Sequence, residues 1–118
     1  MDIDLDDLIT EVRRIASENP NFVYNQMVCK YQVRGKPSCL IGQGLHAIGV
    51  DTAVLKAFDD REDSEIQTIL VDELGFDVED ARIYWLSATQ SAQDCQTPWG
   101  KAISQADFYY PQLIGANA

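Results

Sequence analysis

The chain has 118 residues, enough for one domain, and 46% of them are apolar, so a packed core is expected. Nineteen Asp and Glu against nine Lys and Arg give a formal net charge of −10. This balance argues against a general binder of nucleic acid or of a membrane surface, because both require a positive footprint.

The first third of the chain predicts one helix followed by a small β-hairpin. Residues about 4–18 carry an apolar face with helical spacing, capped by Asp2 or Asp4. That face consists of Leu5, Leu8, Ile9, Val12, Ile15 and Ala16. Residues about 22–37 are rich in β-branched and aromatic side chains and contain the turn signal Arg34-Gly35-Lys36.

The rest of the chain predicts five further helices and an extended tail. The helices span about 39–48, 52–58, 64–74, 78–95 and 98–106, and the tail spans 107–118. We expect Ser38 to cap the second helix and Asp77 the fifth, with Val78 on the buried face. The predicted fold is mostly α (α+β), a single domain over 1–118 with five to six helices and the hairpin after the first.

Charge is divided unevenly along the chain. Residues 21–58 sum to +3, whereas residues 59–80 carry ten acids and one arginine and sum to −9. Such an acidic stretch is either a solvated face that keeps the protein soluble or a surface for a basic partner. The candidate partner contacts are the acidic residues Asp59, Asp60, Glu62, Asp63 and Glu65 and the basic turn residues Arg34 and Lys36. Opposite signs on one chain also permit self-association.

Three cysteines, Cys29, Cys39 and Cys95, lack the spacing of a redox or zinc motif. The acidic start of the chain is unlike a signal peptide, so we expect a cytoplasmic protein with reduced, partly buried thiols. The predicted hairpin would allow Cys29 and Cys39 to lie near each other. With His46, the single histidine, they form an alternative metal-binding or catalytic set.

Two motifs have weak functional interpretations. Gly42-Gln43-Gly44-Leu45-His46-Ala47 matches a dinucleotide-binding pattern, but it would lie inside a helix, where missing side chains favour close packing. Residues 45–58 resemble a helix-turn-helix, although Lys56 is the one cation of its second helix. DNA binding is therefore a weaker alternative, because phosphate contacts require several cations.

Several segments together resemble a group of small proteins from actinobacteria and their phages. They are Phe22-Val23-Tyr24, Cys29-x-Tyr31, 35–42 (GKPSCLIG), Leu45, Gly49-Val50, Trp85-Leu86, Gln90, Gln93-Asp94 and Pro98-Trp99-Gly100-x-Ala102. The similarity covers residues 20 to 107, and Cys95 departs from the glycine expected there. The group has no assigned activity, so the resemblance implies a shared fold and a phage or actinobacterial setting.

We therefore expect a non-enzymatic, acidic protein-interaction module without catalytic residues or cofactor. The expected setting is an accessory phage protein that binds and modulates a host or phage protein in the bacterial cytoplasm.

Overall fold

The computed structural model describes residues 2–25 and 29–114. Within these ranges the chain is mostly helical, with a two-stranded antiparallel hairpin after the first helix, which confirms the predicted fold class. The helices are α1 Leu5–Glu18, α2 Leu40–Ala47, α3 Thr52–Asp59, α4 Ile66–Thr68, α5 Ala81–Asp94 and α6 Trp99–Tyr109. The strands are β1 Gln32–Val33 and β2 Lys36–Pro37. A π-helical turn, Ile69–Glu73, continues α4, and a 3-10 turn, Pro111–Leu113, follows α6.

Helix α1 begins where the sequence predicts. The carboxylate of Asp4 accepts hydrogen bonds from the backbone N–H of Asp6 (2.9 Å) and Asp7 (3.1 Å), which makes Asp4 the cap. All six predicted apolar residues of the helix are buried. The helix packs along α2, where Gly44 leaves room for the side chain of Val12.

The glycines of the pattern at residues 42–47 serve packing inside α2. A Cβ on Gly42 would collide with the backbone carbonyl of Tyr31, and a Cβ on Gly44 would collide with Val12. Both residues are buried. The absence of side chains therefore brings α2 against the segment before the hairpin and against α1.

The hairpin is shorter than predicted. Its strands have two residues each, in the register Gln32↔Pro37 and Val33↔Lys36, around a turn in which Arg34 and Gly35 have positive φ. Two such residues form the type I′ turn that matches strand twist. The predicted β region is wrong at its start, since residues 22–25 form no strand; the Phe22 carbonyl instead accepts a hydrogen bond from Trp99 N (2.9 Å) at the start of α6. Residues 26–28 of the predicted hairpin lie outside the described residues.

Several helix boundaries also differ from the prediction. Cys39, not Ser38, is the N-cap of α2, since its Sγ accepts from Gly42 N (3.4 Å), while Ser38 bonds the hydroxyl of Tyr24. The predicted helix 64–74 is α-helical only at Ile66–Thr68 and then widens into the π-helical turn. The predicted extended tail is wrong at 107–109, which continue α6, and at 111–113, which form the 3-10 turn. Residues 115–118 of that tail are outside the described part.

Two buried glutamines of α5 hold other helices in place. The Gln93 side-chain oxygen accepts from the N–H of Leu40 (2.7 Å), the first residue of α2. The Gln90 oxygen accepts from the N–H of Ile66 (2.9 Å), the first residue of α4, and its amide donates to the hydroxyl of Tyr31 (2.9 Å). Helix N-termini leave backbone donors unpaired, so α5 supplies the acceptors that two helices need.

Candidate functional site

Two of the predicted partner-binding acids have partners within the chain. The carboxylate of Asp59 accepts from the backbone N–H of Tyr31 (2.9 Å) and Gln32 (3.1 Å), which fixes the hairpin to α3. Asp60 forms an ion pair with Lys56 at 2.9 Å. Both carboxylates therefore have a structural role, and Lys56 of the predicted helix-turn-helix is paired.

Asp63, a third predicted contact, organises the start of α4. Its two carboxylate oxygens accept from the N–H of Glu65 (3.1 Å) and from the hydroxyl of Thr68 (2.9 Å). Arg61 donates to the carbonyl of Asp63 (3.2 Å) and pairs with Glu73. Arg61, the one cation of residues 59–80, therefore forms its contacts within that acidic stretch.

Glu62 and Glu65 remain exposed, without an ion pair to any described residue. Glu65 lies on a groove of about 260 Å³ that we call the acidic groove; its lining residues are Glu65, Gln67, Thr68, Val71, Asp72 and Val78. Asp72 is likewise exposed and, within 2–25 and 29–114, unpaired. The groove therefore combines two unpaired carboxylates with the side chains of two valines.

Val78 was expected on the buried face of the fifth helix, and this prediction is wrong. Helix α5 begins at Ala81 with Asp80 as its cap, whereas Asp77 bonds the N–H of Glu79 in the preceding turn. Val78 is consequently 45% exposed. Val78 and Asp72 were not predicted as candidate site residues from the sequence. The acidic neighbours of Val78, Asp77 and Glu79, could have indicated that it is exposed.

Negative charge around Glu65 acts on neighbouring ionisable groups. Burial raises the pKa of the half-buried Asp94 above its usual value, and the charge of Glu65 raises it further against a lowering hydrogen bond from Gln93. Burial likewise raises the pKa of Tyr31, with Asp59, Asp94 and Glu65 adding to the effect. Burial is thus the main cause at both groups, and the charge of Glu65 adds a smaller effect of the same sign.

The predicted basic contacts lie at the tip of the hairpin. Arg34 and Lys36 are exposed, and neither side chain has a partner among the described residues. Arg34 lines a second groove, of about 380 Å³, that the structure forms between the hairpin and α3. Its lining residues are Lys30, Gln32, Val33, Arg34, Lys56, Asp59 and Asp60. The structure therefore brings the basic turn next to two of the predicted acids.

Cys29 and Cys39 form a disulfide, and the expectation that both are reduced thiols is wrong. Both residues are buried, whereas Cys95 is an exposed free thiol. His46 is exposed, and its Nδ1 lies 3.2 Å from the carbonyl of Val50. Within the described ranges, no three His, Cys, Asp or Glu residues are grouped so as to hold a metal. The structure does not bring His46 together with the two cysteines.

Comparisons of the chain with protein-family models, with curated proteins and with solved structures found no match. Among the described residues, no helix is long and apolar enough to span a membrane.

Proposed function

We propose that the chain is a non-enzymatic interaction module that binds a basic segment of a partner protein in its acidic groove. The observation that carries the proposal is the composition of the groove: the unpaired carboxylates of Glu65 and Asp72 lie beside the exposed side chain of Val78. A segment with an apolar side chain between two cations would complement both the carboxylates and the apolar surface of the groove.

Each part of the groove contributes differently to binding. Apolar contact with Val78 removes surface from water and supplies affinity, at about 25 cal/mol per Å² of apolar area buried. The carboxylates favour a positively charged partner and increase its association rate.

The resemblance to actinobacterial and phage proteins supports the setting. We propose an accessory phage protein that modulates a host protein by covering a basic surface; the proposal does not require a reducing compartment, because Cys29 and Cys39 form a disulfide. Asp63 then shapes the site through the hydrogen bonds that it accepts from Glu65 and Thr68, and Glu62 adds negative charge to this part of the chain, whereas Asp59 and Asp60 belong to the second groove. Arg34 and Lys36 provide a second contact of opposite sign.

The test uses a short synthetic peptide with one valine between arginines and lysines, titrated by isothermal calorimetry. Glu65→Gln/Asp72→Asn should weaken binding about fivefold, because each exposed ion pair contributes about 0.5 kcal/mol. The matched control is Asp2→Asn/Asp7→Asn, which removes the same charge from exposed positions on and before α1. Binding of this control should equal that of the wild type.

Two further probes separate specific binding from general attraction to an acidic protein. A peptide with serine in place of valine should bind more weakly, and Val78→Ser should abolish this difference. If Glu65→Gln/Asp72→Asn and the control Asp2→Asn/Asp7→Asn weaken binding equally, net charge alone governs the attraction and the proposed groove is wrong. Capture from a host lysate at low and high salt, with mass spectrometry, then identifies the partner.

A further inference from the structure

The tip of the β-hairpin carries features complementary to those of the acidic groove. Val33 ends β1 and is 41% exposed. Arg34 follows it in the turn, and Lys36 stands opposite Val33 in the strand register. The tip thus presents one exposed apolar side chain together with two cations.

The tip is also held in a fixed shape. The I′ turn is reinforced by a hydrogen bond from Gly35 N to the side-chain oxygen of Gln32 (3.0 Å). Asp59 binds the backbone at Tyr31 and Gln32, and the disulfide links the two ends of the segment. A preorganised segment loses little conformational freedom on docking, which favours binding.

The two carboxylates that the structure describes in the tip's own groove are both engaged within the chain. Of the two acids that share this groove, Asp59 accepts two backbone hydrogen bonds and Asp60 is paired with Lys56. Arg34 and Lys36 have no partner in the described part of the chain. The unpaired cations of the tip and the unpaired carboxylates of the acidic groove are therefore both available to another molecule.

We infer that the hairpin tip of one copy docks in the acidic groove of a second copy, so that the protein self-associates head to tail. Arg34 and Lys36 would meet Glu65 and Asp72, and Val33 would contact Val78. This inference rests on the proposed function, since the groove must accept a basic, apolar-tipped segment. Because the two surfaces differ, each dimer keeps one free tip and one free groove, so assembly continues until a ring closes or dilution stops it.

Self-association then regulates access to the groove. A basic partner and the tip of a neighbouring copy compete for the same residues, so partner binding disassembles the oligomer. High salt weakens assembly, because the contacting charges are exposed and screened.

Two charge-reversal variants test the inference by sedimentation velocity at low ionic strength. The tip variant, Arg34→Glu/Lys36→Glu, keeps the groove, and the groove variant, Glu65→Lys/Asp72→Lys, keeps the tip. All four side chains are exposed, and the Glu65 side chain makes no capping hydrogen bond to α4, so we expect both variants to fold. We expect wild type to form species heavier than a monomer and each variant alone to remain monomeric. An equal mixture of the two should recover assembly, because each tip then meets a groove of opposite charge on the other variant.

A chain that carries all four reversals should regain self-association, since the complementary charges are exchanged. The control Lys101→Glu, at an exposed position of α6, should behave as wild type, whereas Arg34→Glu alone should weaken assembly. A monomeric wild type, a monomeric mixture, or assembly that persists in both variants would each overturn the inference.

The basic peptide distinguishes this inference from the proposed function. The peptide has no acidic side chain, so it does not use the second contact at Arg34 and Lys36. The tip variant should therefore bind the peptide at least as tightly as wild type, because no neighbouring tip competes for its groove. Peptide binding without self-association overturns only the head-to-tail contact. Loss of peptide binding in the monomeric tip variant overturns the proposed function as well.

Discussion

Arg13 and Asp107, on α1 and α6, form a bidentate ion pair with N···O distances of 2.9 and 2.7 Å. The indole N–H of Trp85 donates to the same carboxylate at 2.9 Å, and the Arg13 guanidinium lies 4.8 Å from the centre of the Trp85 ring. Arg13 also donates to the carbonyl of Leu113 at 3.2 Å. One charge cluster therefore joins three helices and the C-terminal 3-10 turn.

Asp107→Asn should lower the free energy of unfolding by about 2 kcal/mol, because it breaks charge-assisted hydrogen bonds at a partly buried site. Urea denaturation monitored by circular dichroism measures the change. The control is Glu18→Gln, which removes the exposed partner of Arg14 and should cost less than about 0.5 kcal/mol. Equal costs for the two variants would contradict a special role for the cluster.

Acid should destabilise the fold partly through Asp107. Burial acts to raise the pKa of this carboxyl, but hydrogen bonds from Arg13 and Trp85 and the charge of Arg13 hold it below its usual value. The resulting stability is present above the unfolded-state pKa of about 3.9 and is lost as pH falls through the lower folded-state value. Unfolding free energies measured between about pH 5 and pH 2 should fall less steeply in Asp107→Asn than in wild type.

Asp94 should show the opposite pH dependence. Its pKa is raised, mainly by burial, so the folded state holds this proton more tightly than the unfolded chain does. The corresponding stability is present at low pH and is lost as pH rises through the raised pKa. Asp94→Asn should therefore stabilise the protein at about pH 7 relative to wild type and have little effect near pH 3. A loss of stability at both pH values would contradict the assignment.

Loss of the disulfide should reduce stability substantially. Cys29→Ser/Cys39→Ser opens a loop of sequence separation 10, which corresponds to roughly 3 kcal/mol of loop-closure free energy. Serine at position 39 still caps α2, so the change isolates the covalent link. Denaturation midpoints in urea measure the effect, with Cys95→Ser as the control at the free thiol. Identical midpoints with and without reductant would show that the link does not constrain the unfolded chain.

Replacement of the buried glutamines should be costly despite their neutral charge. Gln93→Leu leaves the N–H of Leu40 without its acceptor, and Gln90→Leu does the same to Ile66 and also removes the donor to Tyr31. Each change should destabilise the protein by about 2 kcal/mol. Gln105→Leu, at an exposed position of α6, should lie within about 0.5 kcal/mol of wild type. Thermal unfolding followed by calorimetry compares the three variants.

The sequence predicted those parts of the fold that depend on local periodicity and capping. The apolar repeat of α1 and its cap at Asp4 needed no knowledge of distant residues. Some errors concern local choices, such as Asp80 rather than Asp77 as the cap of α5, and one concerns a contact with a distant residue. Phe22 forms no strand and its carbonyl instead accepts from Trp99 N, and the π-helical turn after α4 was not predicted from its apolar repeat.

The candidate site shows the same division. The sequence shows that residues 59–80 are strongly acidic. It does not show which of these acids bond within the chain and which remain exposed to a partner. Asp59 and Asp63 are equivalent to Glu65 by composition, yet both accept hydrogen bonds from the chain's own backbone. Only the three-dimensional arrangement shows that Glu65 and Asp72 remain available and that Val78 lies beside them.

The disulfide also determines what a single proteolytic cut does to this molecule. Residues 30–38 and the two cysteines form a closed covalent ring that contains the exposed Arg34. Trypsin cleavage after Arg34 therefore yields two pieces that stay attached and migrate as one band until reductant is added. The nicked protein retains every helix of the described chain intact, and its mass is that of the whole chain plus one water.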